Sequence, residues 1–344
     1  FRLKYFGVGN ESWGCGGSMT VEHYADEYKR YQVYCRNFGP EPLFKIACGS
    51  HDTNWHWTEV MMREVMKINP YGDLRRMQGL SFHYYTVIRH PDLRMKAATG
   101  FGPEEYYAIL AETLKMEEYL RIHGAIMDKY DPDRRVALVV DEWGTWYAVE
   151  PGTNPGFLYQ QNTMRDALVA AINLNLFNRN CHRVRMANIA QLVNVLQAVV
   201  LTEGDRILMT PTYHVFEMYK GHQDAELVDL KLADRRLEVD GKVLPAVSGS
   251  ASRAADGSIL VTLANLSHDT GETVHLYAPE CGDVLEAREL YSAGAMDACN
   301  TFDNPGEIAP TPMAGVLRED GWLSIPLRPM SVAAVRLAPF PTRA

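Results

Sequence analysis

The chain has 344 residues, of which 47% are hydrophobic, and its 34 Lys and Arg against 43 Asp and Glu give a formal net charge of −9. This length allows one large domain or two ordinary ones, and the apolar share is sufficient for a sizeable core. The acidic balance and the absence of a long basic block argue against nucleic acid or an anionic membrane as a partner, and no apolar run reaches the length of a membrane span.

The first two thirds of the chain alternate short β-rich segments with longer helical patterns. Segments that are apolar on both faces are typical of buried parallel strands, and they occur at residues 3–10, 42–49, 77–86, 135–143 and 183–190. Helical spacing of apolar groups predicts helices at 22–38, 102–130 and 160–179. This alternation predicts βαβ units and a parallel sheet.

The pattern changes near residue 222. Asp240-Gly241 and Asp256-Gly257 each separate two β-like segments, which is a strong signal for a hairpin. The sequence therefore predicts an α/β domain at 1–221, followed by an all-β sandwich of jelly-roll type at 222–344.

A glycine-rich stretch, "GVGNESWGCGG", follows the first predicted strand. Gly7, Gly9 and Ser12 come within one residue of a dinucleotide-binding fingerprint. Ser12 replaces the third glycine, and Trp13 would crowd a pyrophosphate, so the alternative interpretation is favoured. In that interpretation the stretch is a turn that presents Asn10 and Glu11 at the end of a strand.

Two carboxylates end two different predicted strands. Glu11 follows the first, and Glu142 follows the buried run 137–140 in "ALVVDEW". Parallel barrels carry their chemistry at the carboxyl ends of their strands, and a pair of acids there can cleave a glycosidic bond. Trp13 and Trp146 offer flat faces for sugar rings, whereas Trp143 fits the core equally well.

Three other groups have more than one interpretation. Asp141 is expected to be a structural hydrogen-bond acceptor rather than a third catalytic acid. His51, Asp52 and His56 in "SHDTNWHW" could indicate a metal site, but a loop lining the aglycone side, with Trp55, is favoured. The six cysteines form no C-x-x-C pair, which indicates thiols in a reducing, cytoplasmic compartment.

Several long motifs together resemble the α-L-arabinofuranosidases of glycoside hydrolase family 51. They are "GNESWGCGG", "LSFHYYT", "VVDEWGTWY", "PGTNPGFLYQQNTMRDALVA", "MANIAQLVNVLQAVVLTEGD" and "TPTYHVFEMYKGHQ", in family order. The resemblance implies a (β/α)8 TIM barrel, of which this chain carries about strands four to eight, followed by the family's β-sandwich. It also implies that no metal or organic cofactor is required.

The resemblance carries roles to individual residues. Glu11 would be the acid/base, and Glu142 the nucleophile of a retaining double displacement, with carboxyl groups about 5–5.5 Å apart. Asn10 would bind the sugar hydroxyl beside the anomeric carbon. His83 would line the site, although a packed histidine is the alternative, and Tyr85 would orient its hydroxyl toward Glu142. The remaining sugar contacts would be Trp146 and Gln191.

The implied activity is that of an exo-acting retaining α-L-arabinofuranosidase on arabinan- or arabinoxylan-derived oligosaccharides. The alternatives are another retaining glycosidase of the same clan, such as a xylosidase or endoglucanase, and a non-catalytic carbohydrate-binding chain. Five strands do not close an eight-stranded barrel, so the first barrel half is expected from the same chain, as part of a longer protein, or from a separate chain. The remaining alternative is a truncated and inactive product. Homo-oligomerisation is implied by the family, and a partner for Cys15 stays open.

Overall fold

The computed structural model describes residues 2–67 and 77–339, which form two compact units. The first unit comprises Phe1–Tyr85, Met116–Trp143 and Asn180–Asn188, and the second comprises Thr86–Lys115, Gly144–Arg179 and Ile189–Ala344. No helix in the described ranges combines the length and the apolar character needed to cross a bilayer. The domain boundary placed at 221/222 stays a prediction.

The first unit is built on one five-stranded sheet whose strands follow chain order. Both β1 with β2 and β2 with β3 pair in parallel, as the apolar segments predict. Ile46, Ala137 and Val139 form a buried cluster on this sheet. The strands are β1 (Tyr5–Val8), β2 (Phe44–His51), β3 (Gly79–Thr86), β4 (Ala137–Thr145) and β5 (Val184–Ile189).

Three helices alternate with these strands, namely α1 (Val21–Tyr31), α2 (Trp55–Val65) and α3 (Pro103–Tyr130). The prediction of a helix at 22–38 is wrong at its C-terminal end. Lys45 of β2 donates to the Gln32 carbonyl at 2.7 Å and to its side-chain oxygen at 3.1 Å, which satisfies the end of α1.

The segment predicted as a loop is only partly one: His51 ends β2, a turn follows at Asp52, and α2 begins at Trp55. Asn54 caps α2 by accepting a hydrogen bond from the Trp57 N–H at 3.3 Å. Trp55 packs against His123 of α3, with ring centroids 4.5 Å apart. Buried Val60 and its neighbours anchor the helix, and this apolar run in "WHWTEVMM" was the signal that the loop interpretation overlooked.

A buried ion network holds the N-terminal ends of β4 and β5. The Arg183 guanidinium donates to Asp131 Oδ2 at 3.0 Å and to the Val136 carbonyl at 2.8 Å, and it also contacts Asp128. The Val136 N–H donates to Asp131 Oδ2 at 2.7 Å. Both charged groups of the Arg183–Asp131 pair are buried, with side chains 3% and 0% exposed, and their polar atoms are largely paired.

The second unit contains α4 (Met164–Arg179), a hairpin of β6 (Val200–Glu203) and β7 (Arg206–Met209), α5 (Pro211–Tyr219) and the predicted sandwich. Both predicted hairpins are confirmed. Asp240 and Gly241, with positive φ of 49° and 74°, lie between β9 (Arg236–Val239) and β10 (Lys242–Pro245). Asp256 lies between β11 (Val247–Arg253) and β12 (Ile259–Asn265). A six-stranded sheet in the order β15-β14-β18-β12-β11-β8 and a three-stranded sheet β13-β17-β16 contribute to one core.

The strands of this part are β8 (Glu226–Val228), β9 (Arg236–Val239), β10 (Lys242–Pro245), β11 (Val247–Arg253), β12 (Ile259–Asn265), β13 (Glu272–Tyr277), β14 (Cys281–Tyr291), β15 (Thr311–Pro312), β16 (Leu317–Glu319), β17 (Trp322–Leu327) and β18 (Ser331–Pro339). All their pairings are antiparallel. Helix α4 is held to this part by polar contacts, among them Asn175, which accepts from Ser250 at 2.8 Å.

Candidate active site

The turn after β1 presents a carboxylate through an uncommon backbone conformation. Glu11 has a φ of 42°, in the left-handed region that non-glycine residues seldom adopt. Its carbonyl accepts from the N–H groups of Gly14 at 2.7 Å and Gly16 at 3.0 Å. A Cβ atom on Gly16 would lie 1.7 Å from the Asn10 carbonyl oxygen, so only glycine allows this turn to close.

Three contacts attach this turn to β2. The Ser12 N–H donates to the Cys48 thiol sulfur at 3.3 Å, and the Trp13 indole N–H donates to the Gly49 carbonyl at 3.1 Å. Tyr24 of α1 donates to the carbonyl of Val8, and its hydroxyl accepts from the Cys48 N–H at 2.6 Å. The phenol therefore connects β1 and β2 just beyond their last paired residues, Val8 and Ala47.

The second carboxylate comes from β4. Residues 137–140 are buried, and Asp141 and Glu142 follow them in a half-buried position. Tyr85 donates to Glu142 Oε2 at 2.8 Å, as the resemblance implies, and Asn10 Nδ2 donates to Glu142 Oε1 at 3.4 Å. Burial and the negative charge of Glu142 raise the pKa of the Tyr85 phenol, which keeps this hydroxyl a donor.

His83 lies between the carboxylates. Its Nδ1 is 2.9 Å from Glu11 Oε1 and 3.5 Å from Glu142 Oε2, while its Nε2 is 3.2 Å from Asp141 Oδ1. Burial alone lowers the pKa of this imidazole, but the hydrogen bond and charge of Asp141, aided by Glu142 and Glu11, overcome it and raise the pKa to about 9. His83 is therefore an imidazolium at neutral pH, rather than a merely packed side chain.

The three groups are close enough to surround a small cation. One oxygen each of Glu11 and Glu142 and one ring nitrogen of His83 lie within 4.8 Å of one another. A metal at this position would have to displace a proton of His83, because only a neutral imidazole nitrogen has a lone pair for it. His51, Asp52 and His56 do not belong to this group, which is the candidate set found in the described residues.

Sequence interpretation missed a thiol contact. The Cys15 thiol donates to Glu11 Oε2 at 3.1 Å, so each oxygen of this carboxylate has its own donor. The hydrogen bond to Glu11 and the negative charge of that carboxylate raise the pKa of Cys15. The spacing of four residues between Glu11 and Cys15 was the available signal, because a tight turn brings such residues together.

The aromatic residues divide between site and core. Trp13 packs on His51 with ring centroids 4.1 Å apart and the ring planes tilted by 45°, and His51 pairs in register with His83 across β2 and β3. Trp143 is fully buried, which resolves its two interpretations in favour of the core.

Two predicted sugar contacts belong to the second unit. Trp146 follows β4, is half-buried, and donates its backbone N–H to the Thr86 carbonyl at 3.1 Å. Gln191 is exposed, follows a cis peptide bond with Ala190, and donates its N–H to the Val195 carbonyl at 3.1 Å. Their roles as pocket wall and hydroxyl ligand stay predictions.

Comparison with known proteins gives the same family as the motifs. Residues 141–331 match the model of the α-L-arabinofuranosidase C-terminal domain. An intracellular exo-α-L-arabinofuranosidase of Bacteroides ovatus is 43% identical over 338 residues, which are 98% of this chain and 64% of that protein. The chain thus spans less than two thirds of this relative.

Solved structures agree on the fold. The family 51 arabinofuranosidase of Xanthomonas axonopodis pv. citri has a TM-score of 0.92 and 44% identity, covering 98% of this chain and 66% of that one. The Thermotoga maritima α-L-arabinofuranosidase has a TM-score of 0.77 at 22% identity, covering 97% and 66%. These matches confirm a partial (β/α)8 barrel followed by a β-sandwich, and the chain belongs to the α-L-arabinofuranosidases of glycoside hydrolase family 51.

Proposed function

We propose that this chain carries the catalytic carboxylates of an exo-acting, retaining α-L-arabinofuranosidase. The observation that carries the proposal is that one carboxylate oxygen of Glu11 lies within 4.8 Å of one of Glu142, with His83 between them. Retaining glycosidases hold their two carboxyl groups about 5–5.5 Å apart, whereas inverting ones need about 6.5–9.5 Å to admit a water. The short separation supports double displacement.

Glu142 acts as the nucleophile. It attacks the anomeric carbon, while the bond from that carbon to the leaving oxygen breaks and Glu11 transfers its proton to this oxygen. Tyr85 holds Glu142 Oε2 through a 2.8 Å hydrogen bond and so orients the carboxylate for attack. Glu11 then removes a proton from water, which cleaves the glycosyl ester with net retention of configuration.

The substrate proposed is a terminal α-L-arabinofuranosyl group on an arabinan- or arabinoxylan-derived oligosaccharide. Asn10 binds the hydroxyl beside the anomeric carbon, and Trp146 and Gln191 supply further sugar contacts. The exo mode and a cytoplasmic location are taken from the Bacteroides relative, which is named an intracellular exo-α-L-arabinofuranosidase. A barrel domain at 1–221 and a sandwich at 222–344 complete the proposed organisation.

The first barrel half is proposed as the partner of an apolar edge. β1 is the outermost strand of the five-stranded sheet, and beside it lies an open cleft of about 1400 Å³. Exposed apolar side chains line the cleft, including Leu3, Phe6, Tyr34 and Phe38. An uncovered parallel edge of this kind is unusual in a stable protein. It supports the proposal that the remaining βα units, in the same or a separate chain, cover this edge. The complete protein is proposed to be a homo-oligomer.

The test uses the complete protein that contains this sequence. We expect hydrolysis of 4-nitrophenyl α-L-arabinofuranoside. Proton NMR should show that the arabinose released first is the α-anomer, as retention of configuration requires. Glu142→Ala should reduce turnover by more than about 10⁴-fold, because no other group replaces the nucleophile. Glu238→Ala, which changes an exposed carboxylate of the β9–β10 hairpin, is the matched control.

Three outcomes would overturn the assignment. Wild-type activity in Glu142→Ala would show that Glu142 of β4 is not the nucleophile. Equal turnover of aryl β-xylopyranosides or cellodextrins would replace the arabinofuranosidase by another glycosidase of the clan. Binding of arabino-oligosaccharides without any hydrolysis, measured by calorimetry on the complete protein, would favour a non-catalytic role.

A further inference from the structure

The contact between Asp141 and His83 has no role in the mechanism above. His83 Nε2 and Asp141 Oδ1 are buried and 3.2 Å apart, which is ion-pair distance, and in the described part of the chain neither atom makes a hydrogen bond. The His83 side chain is 4% exposed, so water does not replace this contact. A buried charge without an opposite charge nearby is costly, and the ion pair therefore offsets part of the cost of burying the imidazolium and the carboxylate.

The opposite ring nitrogen faces the acid/base. Nδ1 is 2.9 Å from Glu11 Oε1, so the imidazole spans from Asp141 on β4 to the turn after β1. A ring held at both nitrogens cannot rotate without breaking two contacts in a buried site. The Asp141 carboxylate thereby determines where the Nδ1–H points, although it does not touch Glu11.

The charged groups around His83 come from three elements. Glu11 approaches from the turn after β1, His51 is its register partner on β2, and Asp141 and Glu142 approach from β4. Three carboxylates thus surround this imidazole. The positive charge of the His83 imidazolium lowers the mutual repulsion of the three carboxylates. Asp141 is the carboxylate that faces Nε2, so it favours a proton on that nitrogen.

We propose that Asp141 is a positioning residue for the acid/base step, because it holds His83 with Nδ1–H donating to Glu11. This inference rests on the proposed function. During glycosylation the O–H bond of Glu11 breaks and its proton goes to the leaving oxygen, so a carboxylate forms. The His83 Nδ1–H stabilises that carboxylate without transferring its own proton, and it keeps the same Glu11 rotamer for the attack by water.

The first measurement compares two substrates in Asp141→Asn and wild type. A poor leaving group, such as an arabino-oligosaccharide, needs protonation, whereas a dinitrophenolate does not. We expect kcat/KM to fall by on the order of 10-fold or more for the oligosaccharide and by less than about threefold for the dinitrophenyl arabinofuranoside. A structural defect would lower both values by the same factor.

The second measurement needs no activity. Nitrogen-15 NMR of the histidine side chains should show the pKa of His83 falling by about 1–3 pH units in Asp141→Asn, because the variant loses the negative charge at Nε2. The control is Asp133→Asn, which changes an exposed carboxylate in the turn before β4 and should alter neither measurement.

The outcomes separate this proposal from the proposed function. An equal loss for both substrates, or an unchanged His83 titration, overturns the role of Asp141 while leaving the glycosidase intact. If the wild-type protein hydrolyses none of the substrates, the proposed function is overturned, and the positioning role falls with it. A shifted His83 titration would then still show that the Asp141–His83 pair exists. Asp141→Glu should restore part of the substrate ratio if the charge at Nε2 is what matters.

Discussion

The two ends of the five-stranded sheet treat acidic residues in opposite ways. At the N-terminal ends of β4 and β5, Asp131 receives hydrogen bonds from Arg183 and from the Val136 N–H. At the carboxyl ends, three carboxylates share a single imidazole, His83. In the first arrangement the negative charge of Asp131 is balanced by Arg183. In the second, three negative carboxylates face one positive imidazolium, so negative charge is in excess. The stabilising ion pair and the proposed chemistry therefore lie at opposite ends of one sheet, as is usual in parallel barrels.

The largest effect is expected from an acid at the carboxyl end. Glu11→Gln should lower kcat/KM for an arabino-oligosaccharide by about 10²–10⁴-fold, since an amide can neither donate nor accept the catalytic proton. The midpoint of urea unfolding should change little, because one of three repelling carboxylates is removed. A variant that lost stability as strongly as activity would contradict the comparison, and Glu238→Gln provides the surface control.

The next effect comes from the opposite end. Asp131→Asn leaves the buried Arg183 without its full counter-charge, and we expect the free energy of unfolding to fall by about 3–5 kcal/mol. Activity per folded molecule should stay near wild type in mild conditions. Chemical denaturation measures the first quantity and steady-state kinetics the second, with exposed Asp133→Asn as the control.

The pH dependence of the Asp131 contribution has a defined sign. Burial raises the pKa of Asp131, but the hydrogen bonds from Val136 and Arg183 outweigh it and hold the pKa below its usual value. A carboxyl whose pKa is lowered by folding stabilises the protein above its unfolded pKa, about 3.9, and loses that effect as the pH falls through the folded value. The difference in free energy of unfolding between wild type and Asp131→Asn should therefore become smaller as the pH falls into the acid range.

A smaller and mixed effect is expected at Gly16. Its substitution by alanine would place Cβ 1.7 Å from the Asn10 carbonyl, so the turn has to open. We expect a loss of about 1–3 kcal/mol in unfolding free energy, together with reduced kcat because Asn10 and Glu11 are displaced. Gly306→Ala, where no atom lies within 4 Å of the added Cβ, is the matched control and should change neither quantity.

The smallest effect concerns a thiol. The Glu11 hydrogen bond and charge raise the pKa of Cys15, which keeps the exposed thiol protonated and slow to react. In Glu11→Gln, alkylation of Cys15 by iodoacetamide at pH 8 should become about 3–10-fold faster. Peptide mass spectrometry measures the rate, and exposed Cys181 is the internal control. An unchanged Cys15 rate would show that the contact does not control this thiol.

Much of this architecture was predictable because it follows local rules. Apolar segments predicted the five strands, Asp-Gly pairs predicted the hairpins, and the carboxyl-end rule brought Glu11 and Glu142 together. The family motif added His83 and Tyr85, whose contacts with the carboxylates the structure contains. Roles for these residues stay predictions.

The remainder depended on contacts that spacing does not encode. The end of α1 is set by Lys45 of β2, and no pattern within residues 22–38 contains that information. Asp141 was expected to be a structural acceptor, and its contact with His83 depends on the pairing of β3 and β4. The φ of Glu11 arises from the closure of its turn, which needs three-dimensional coordinates to recognise.

The phenol of Tyr24 gives the catalytic turn an unexpected dependence on a helix. It occupies the position between β1 and β2 where the next rung of the ladder would form, and it packs on Trp57 and Tyr28 with ring centroids 5.7 and 6.2 Å away. Because Tyr24 holds Val8, just before the turn that carries Glu11, we expect substitutions at residues that touch no carboxylate to change the orientation of Glu11. A library at these three aromatic positions, screened for altered leaving-group preference, would vary the acid/base geometry while leaving every catalytic group in place.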